Sequence, residues 1–350
     1  MIGRCLVVLS IGLAVAACGL AERDPVSAAL SDRLGLASMS AAIDRGDHGA
    51  IEAVVVEQGG AIVFEDYFGS TDPETIIDVR SVGKSITALA VGLAITDGGI
   101  SDVDALMLDA FADLVPIAGD GPVKRAITVH DLLSMSSALD CTDWRRSPGN
   151  EERMYRSPDW TRFALDIAID TAFVRAAGGQ GRFSYCTSGV LLLGRMVERG
   201  VDGALWRRSP AGEVQSGAQL GLRARDLARI GRMTTDGGAW RDQQIVPRDW
   251  LREVLEPRVQ ATPALAYGYL WWFGDFDVGD GTASGGAFML GNGGNVVLLL
   301  PEWEAVIVVL ASNYRDDDAY TKSKPIIEES VVPALAAIAA VSPRPPSPPR

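Results

Sequence analysis

Ser81 and Lys84 stand three residues apart in Asp78-Val79-Arg80-Ser81-Val82-Gly83-Lys84-Ser85, the polar start of an otherwise apolar segment. A serine hydroxyl becomes a competent nucleophile only when a neighbour takes its proton. A lysine amine can do this if burial favours its neutral form, whereas an arginine stays charged and cannot. The chain has four lysines, Lys84, Lys124, Lys322 and Lys324, against 28 arginines, so a lysine here is a chemical choice. The residues that follow, Ile86, Ala88, Leu89, Ala90, Val91, Leu93, Ala94 and Ile95, are too densely apolar for a surface helix and predict one buried on most sides. Thr96-Asp97-Gly98-Gly99 ends it. On a helix beginning near Ser81, Lys84 lies one turn along on the same face, its amine within reach of the hydroxyl. The helix start also offers unpaired N–H groups and a positive dipole end to an anion forming at Ser81. Chance yields such a spacing about once in a chain of this length at ordinary residue usage, but this is the only Ser-x-x-Lys present.

Two further stretches carry chemistry. Phe183-Ser184-Tyr185-Cys186-Thr187-Ser188-Gly189 is a polar loop before an apolar helix, where Tyr185 can relay a proton to a leaving group or simply pack on the helix it precedes. Met289-Leu290-Gly291-Asn292-Gly293-Gly294-Asn295 precedes an apolar strand. Its glycines let backbone approach a ligand, so that an N–H at Asn292 joins that of Ser81 in an oxyanion hole; the plain alternative is a flexible turn. A Ser-His-Asp triad is a poor rival: there is no Gly-x-Ser-x-Gly elbow, and the two histidines, His48 and His130, sit in a polar loop and at a helix start. The many acids show no local pairing of the kind glycosidases use. No Cys/His cluster has metal spacing, and no cofactor is implied.

The elements that must position these residues are legible in outline. Ile51 to Gly69 reads as a hairpin, with runs Ala53–Glu57 and Ala61–Phe64 joined across Gly59-Gly60. From Ser81 to about Arg258 the pattern is helical and looped. Thr128-Val129-His130-Asp131-Leu132-Leu133 reads as a capped short helix, and Trp160–Ile169, Ser188–Arg199 and Leu222–Met233 as longer ones. Strands return at Tyr267–Phe273, Asn295–Leu300 and Ala305–Leu310, the last two a second antiparallel hairpin; Pro325–Ala340 reads as a final apolar helix. Strands at both ends with helices between predict an α+β domain over 37–341. Its single antiparallel sheet comes from about 37–80 and 260–341, flanked by helices, with a mostly helical region inserted over about 81–259.

The chain of 350 residues is 47% hydrophobic, enough for a sizeable core, and its net charge of −13 argues against a nucleic-acid partner. Arg4 followed by the apolar run Cys5–Ala17 is too short to span a bilayer as an anchor and reads as an export signal over 1–17. Val15-Ala16-Ala17-Cys18-Gly19 resembles a bacterial lipobox, whose cleavage would leave a lipidated Cys18. That acyl group would hold the protein on a membrane facing the periplasm or exterior, with 18–36 as a tether. Ordinary cleavage after a small residue, or an uncut anchor, is the alternative. In an exported, oxidising setting Cys141 and Cys186 fit a disulfide joining the loop after Leu139 to the residue beside Tyr185, with two separate buried thiols as the alternative. SPRPPSPPR at 342–350 reads as a disordered tail.

The order Ser-x-x-Lys, Tyr-x-x loop and Gly-rich start of a C-terminal strand resembles the serine β-lactamase and penicillin-binding-protein superfamily. The branch is the class C-like one that holds esterases and 6-aminohexanoate-dimer hydrolases. The likeness runs from about Ala53 to Leu335 and includes Thr128 to Ala138, Gly149-Asn150-Glu151, Gly221 to Gly231, Tyr267 to Trp272 and Leu310-Ala311-Ser312-Asn313. It implies a β-lactamase/transpeptidase-like fold and an acyl-enzyme on Ser81, with Lys84 as proton acceptor, Tyr185 as relay and backbone N–H groups of Ser81 and Asn292 around the oxyanion. Two departures bear on substrate. The family's Tyr-x-Asn is here Tyr185-Cys186-Thr187, so a hydroxyl at Thr187 replaces an amide, and its Lys/His-x-Gly is Met289-Leu290-Gly291, without a cation. Losing a charge-assisted contact to a substrate carboxylate costs about 1.5–3 kcal/mol. The expectation is a hydrolase of neutral small-molecule esters or amides with weak or absent β-lactamase activity. A non-hydrolytic binding module and a cell-wall D,D-peptidase are the competing readings.

Overall fold

The computed structural model describes residues 35–172, 182–198, 208–209, 212, 214–277, 283–316 and 318–341. The expected signal segment, Cys18 and the tail at 342–350 lie outside the described residues. No helix among the described residues is long and apolar enough to cross a membrane. The described residues divide into two compact units, one drawn from 83–220 and 246–271 and one from 35–82, 221–245 and 272–341. Residues 221–245 thus count with the sheet strands, and 260–271 with the helices.

In the sheet unit, six antiparallel strands run in the order Ala61–Tyr67, Ile51–Gln58, Ala305–Ala311, Asn295–Leu300, Ala283–Gly291 and Trp272–Asp277. The pairing of Ile51–Gln58 with Ala305–Ala311, through partners such as Val54↔Val309 and Val55↔Val308, joins the two ends of the chain. Every residue of Asn295–Leu300 and Ala305–Ala311 is buried, which is why both read as unbroken apolar runs and not as alternation. Helices supply the cover on both faces. Leu299 and Val306, cross-strand partners, meet helix Ala224–Thr235, where a Cβ on Gly231 would lie 2.5 Å from Val306 Cγ1. Phe288, partner of Leu298, belongs to the opposite face and stacks on Tyr320 at 6.4 Å, at the head of the C-terminal helical run.

The helical unit is built around Val82–Thr96, whose first residue belongs to the sheet unit, and Thr187–Glu198. Trp250 Nε1 donates to Ala88 O at 2.9 Å, and Val190 to Leu193 are fully buried. The predicted cap at Thr128 is a full capping box: Thr128 Oγ1 accepts from Asp131 N, and Asp131 Oδ2 accepts from Thr128 N.

Three expectations are corrected. Tyr267–Phe273 is not one strand: Ala266–Tyr267 ends early and Trp272–Asp277 starts afresh, because Leu270 is left-handed at φ +61°. Its N–H donates to Leu133 O and its carbonyl accepts from Ser85 Oγ, so this peptide bonds to helices and not to a ladder. Ala283–Gly291 is a strand whose three glycines dilute the strand pattern, so only its last three residues stood out as the start of a turn. The final helical run begins at Tyr320, five residues before Pro325, and widens into π-type turns over Ile326–Val331 just after that proline, which has no N–H to donate.

Gly231→Ala is expected to destabilise the fold by about 1–3 kcal/mol, because Val306 is fixed in a fully buried strand and cannot give way. Denaturant unfolding measures it.

Candidate active site

In the sheet unit the turn before Ser81 is held from several sides. Asp78 Oδ1 accepts from Arg80 N at 3.0 Å, and Val79 O accepts from Val82 N at 3.2 Å. Arg80 lies at φ +53°, a conformation a non-glycine residue adopts only when its surroundings impose it. Its guanidinium sits 4.2 Å from the Tyr314 ring centroid and 3.5 Å from Asp78, while Tyr314 OH donates to Asp78 O at 3.2 Å. Gly291 closes on the same turn. A Cβ there would lie 2.4 Å from Val79 O, so only glycine lets the end of strand Ala283–Gly291 come this near. The structure therefore brings Gly291 and Asn292 up to the residues that carry Ser81. The buried Asn295 side chain fixes that turn, donating through Nδ2 to Asn292 O at 2.8 Å and accepting from Ala311 N. In the sequence Asn295 reads only as the first residue of an apolar strand.

In the helical unit Lys84 is 1% exposed. Its Nζ donates to Gly217 O at 2.6 Å and lies 4.9 Å from the centroid of the Tyr185 ring. Gly217 in turn has no room for a side chain, since a Cβ would meet Thr187 Cγ2 at 2.8 Å. Thr187 thus turns its methyl toward Gly217. Lys84 and Thr187 both meet Gly217, Tyr185 lies against Lys84, and Cys141 and Cys186 form a disulfide beside them.

Asp143 is the residue that sequence reasoning missed. Its Oδ2 accepts from Thr187 N at 2.7 Å, its Oδ1 from Glu151 N at 2.9 Å, and its own N–H donates to Tyr185 O at 2.9 Å. Burial holds its carboxyl above the usual carboxylate range, helped by the charge of Glu151 and opposed by Lys84 and the Thr187 donors. The signal was an acid two residues after Cys141 and next to Trp144, too short a pattern to single out. Tyr267, edge-on to Tyr185 at 6.3 Å, is fully buried, and that burial holds its phenol well above the ordinary value. His130, half-buried, bonds through Nδ1 to Tyr269 OH at 2.7 Å. Among the described residues no group of three or more His, Cys, Asp or Glu is placed to hold a metal ion.

In sequence the chain is similar to known hydrolases. Residues 39–209 match the family model described as Beta-lactamase. The chain is 28% identical over 295 residues to 6-aminohexanoate-dimer hydrolase of Paenarthrobacter ureafaciens, covering 75% of this chain and 72% of that one. Among solved structures, the octameric penicillin-binding protein homologue from Pyrococcus abyssi superposes with a TM-score of 0.61 at 19% identity, over 88% of this chain and 77% of that one. A D-stereospecific amidohydrolase from Streptomyces sp. does so with 0.59 at 15%, over 86% and 98%. These two likenesses speak for the fold; the sequence matches speak for the family. The chain is a hydrolase related to the serine β-lactamases, and one that lacks the strand cation and the Tyr-x-Asn amide of a typical β-lactamase.

Proposed function

We propose that this protein is an exported, lipid-anchored hydrolase that cleaves neutral esters or amides through an acyl-enzyme on Ser81. The observation that carries the reading is the buried amine of Lys84, held by a backbone carbonyl and placed over the Tyr185 ring, three positions after Ser81 in the sequence. Ser81 Oγ attacks the substrate carbonyl carbon while its proton passes to Lys84 Nζ. The resulting oxyanion accepts from the N–H groups of Ser81 and Asn292; one such donor is worth about 10²–10³ in rate. Tyr185 hands the proton to the departing alcohol or amine, which leaves with its bonding pair. Water then adds to the acyl-enzyme, its proton travels back through the same pair, and the acid departs with Ser81 restored.

The absent strand cation at Met289-Leu290-Gly291 favours substrates without a carboxylate at that position. Relatives named as a 6-aminohexanoate-dimer hydrolase and an amidohydrolase support amides beside esters. Export and the membrane tether rest on the sequence around Cys18 alone.

Ser81→Ala is expected to lower p-nitrophenyl ester turnover at least about 10³-fold and to abolish fluorophosphonate labelling seen by intact mass. Lys84→Arg, whose guanidinium cannot accept a proton, should behave alike, and parental turnover by Ser81→Ala would overturn the reading. Cys18→Ser is expected to move the protein from the membrane fraction to the soluble one. Asp143 supplies a pH test. Below its ordinary 3.8 the carboxyl is protonated folded or unfolded. As pH rises through that value and then through the raised folded one, ionisation favours the unfolded chain. Unfolding by urea between about pH 4 and pH 7 should therefore show parental stability falling relative to Asp143→Asn, which does not titrate.

A further inference from the structure

Four aromatic rings meet in the helical unit, and they differ sharply in burial. Tyr267 and Phe183 meet edge to face at 5.1 Å, Phe183 and Trp144 lie at 5.6 Å, and Trp144 stacks nearly parallel on Tyr185, 5.9 Å apart with 8° between planes. Tyr267 and Tyr185 are buried, whereas Trp144 is 57% exposed and is the sole aromatic among the described residues with a large exposed apolar surface. Its two tyrosines are buried and its tryptophan is exposed to solvent.

Loop slack does not explain that exposure. Cys141, three residues before Trp144, is bridged to Cys186, and Asp143, one residue before, spends both carboxylate oxygens on the N–H groups of Glu151 and Thr187. Ser147 Oγ accepts from Thr142 N and donates to Thr142 O, closing the same loop from its other side. The indole is held in place with much of its surface toward water. Such a ring is poised to bury a flat apolar group, since offset stacking of aromatic faces adds to the gain from area alone.

We infer that Trp144 is a specificity-determining platform for the leaving group, favouring esters and amides whose alcohol or amine is aryl or benzyl. The assignment to the leaving group rests on the function proposed above: Tyr185 delivers the proton to that group, and Trp144 is the ring stacked on Tyr185. It names a substrate class that fits a site without the family's strand cation, where a planar neutral group is gripped by stacking instead of by charge.

Benzyl acetate and ethyl acetate test it in the full chain. They share an acyl group, so the acyl-enzyme and its breakdown are identical, and only the departing alcohol differs. Trp144→Ala is expected to lower kcat/KM for benzyl acetate about tenfold and for ethyl acetate less than about twofold, while Trp144→Phe keeps most of the preference. The ratio of the two esters is independent of how much variant folds. Equal loss on both esters would show that Trp144 merely supports Tyr185, and no loss on either would make it a bystander; each overturns the inference. Ser81→Ala separates the two levels. If it is inert while the Trp144 ratios stay parental, the platform alone fails; if it hydrolyses both esters at the parental rate, the acyl-enzyme reading fails.

Discussion

Placing the amine of Lys84 away from water is the demand that shapes its surroundings. A buried amine needs acceptors and a close wall, and the chain provides Gly217 O and the face of Tyr185. Each of these has its own support. Gly217 must lack a side chain because Thr187 fills that space, and Thr187 is held by Asp143 at the start of its helix. Asp143 also receives the chain at Glu151 and donates to Tyr185 O, so one carboxylate and one N–H set the spacing between loop and helix. The disulfide ties the same two segments two residues upstream of Asp143 and one residue downstream of Tyr185. Remove any of these and the lysine keeps its position less well.

The sheet unit answers a different problem, which is to present a serine and an N–H group on a turn that cannot drift. It does so by accepting local strain. Arg80 in the left-handed region is stable only because its guanidinium is trapped between Tyr314 and Asp78. The close approach of Gly291 to Val79 O then leaves that turn nowhere to relax. Strain of this kind next to a nucleophile serves preorganisation, since donors already in place need no rearrangement when charge develops.

Much of this was legible in the amino-acid sequence where a signal is local. Gly59-Gly60 marked one hairpin, the buried runs around Pro301-Glu302-Trp303-Glu304 another, and the dense apolar pattern after Lys84 its helix. The order of Ser81, Tyr185 and Gly291 carried the resemblance to the β-lactamase family. What stayed hidden was decided at a distance. Strand Ala283–Gly291 lost its pattern to glycines, of which Gly286 makes room for Leu298 and Gly291 lets Val79 O come near, and the break at Leu270 exists because Leu133 and Ser85 capture its peptide. Asp143 and Trp144 had no periodicity to betray them, because their roles come from a loop folded onto a helix more than forty positions further along.

The Ile51–Gln58 strand finds one of its neighbours at once, across Gly59-Gly60, and the other only at Ala305–Ala311. Closing so long a loop is slow, and the reward arrives only when both partners exist. A ribosome reading from the N-terminus releases Ala305–Ala311 long after Ile51–Gln58, so that ladder zips late. Until then the early hairpin keeps an open edge, and the nascent chain remains threadable.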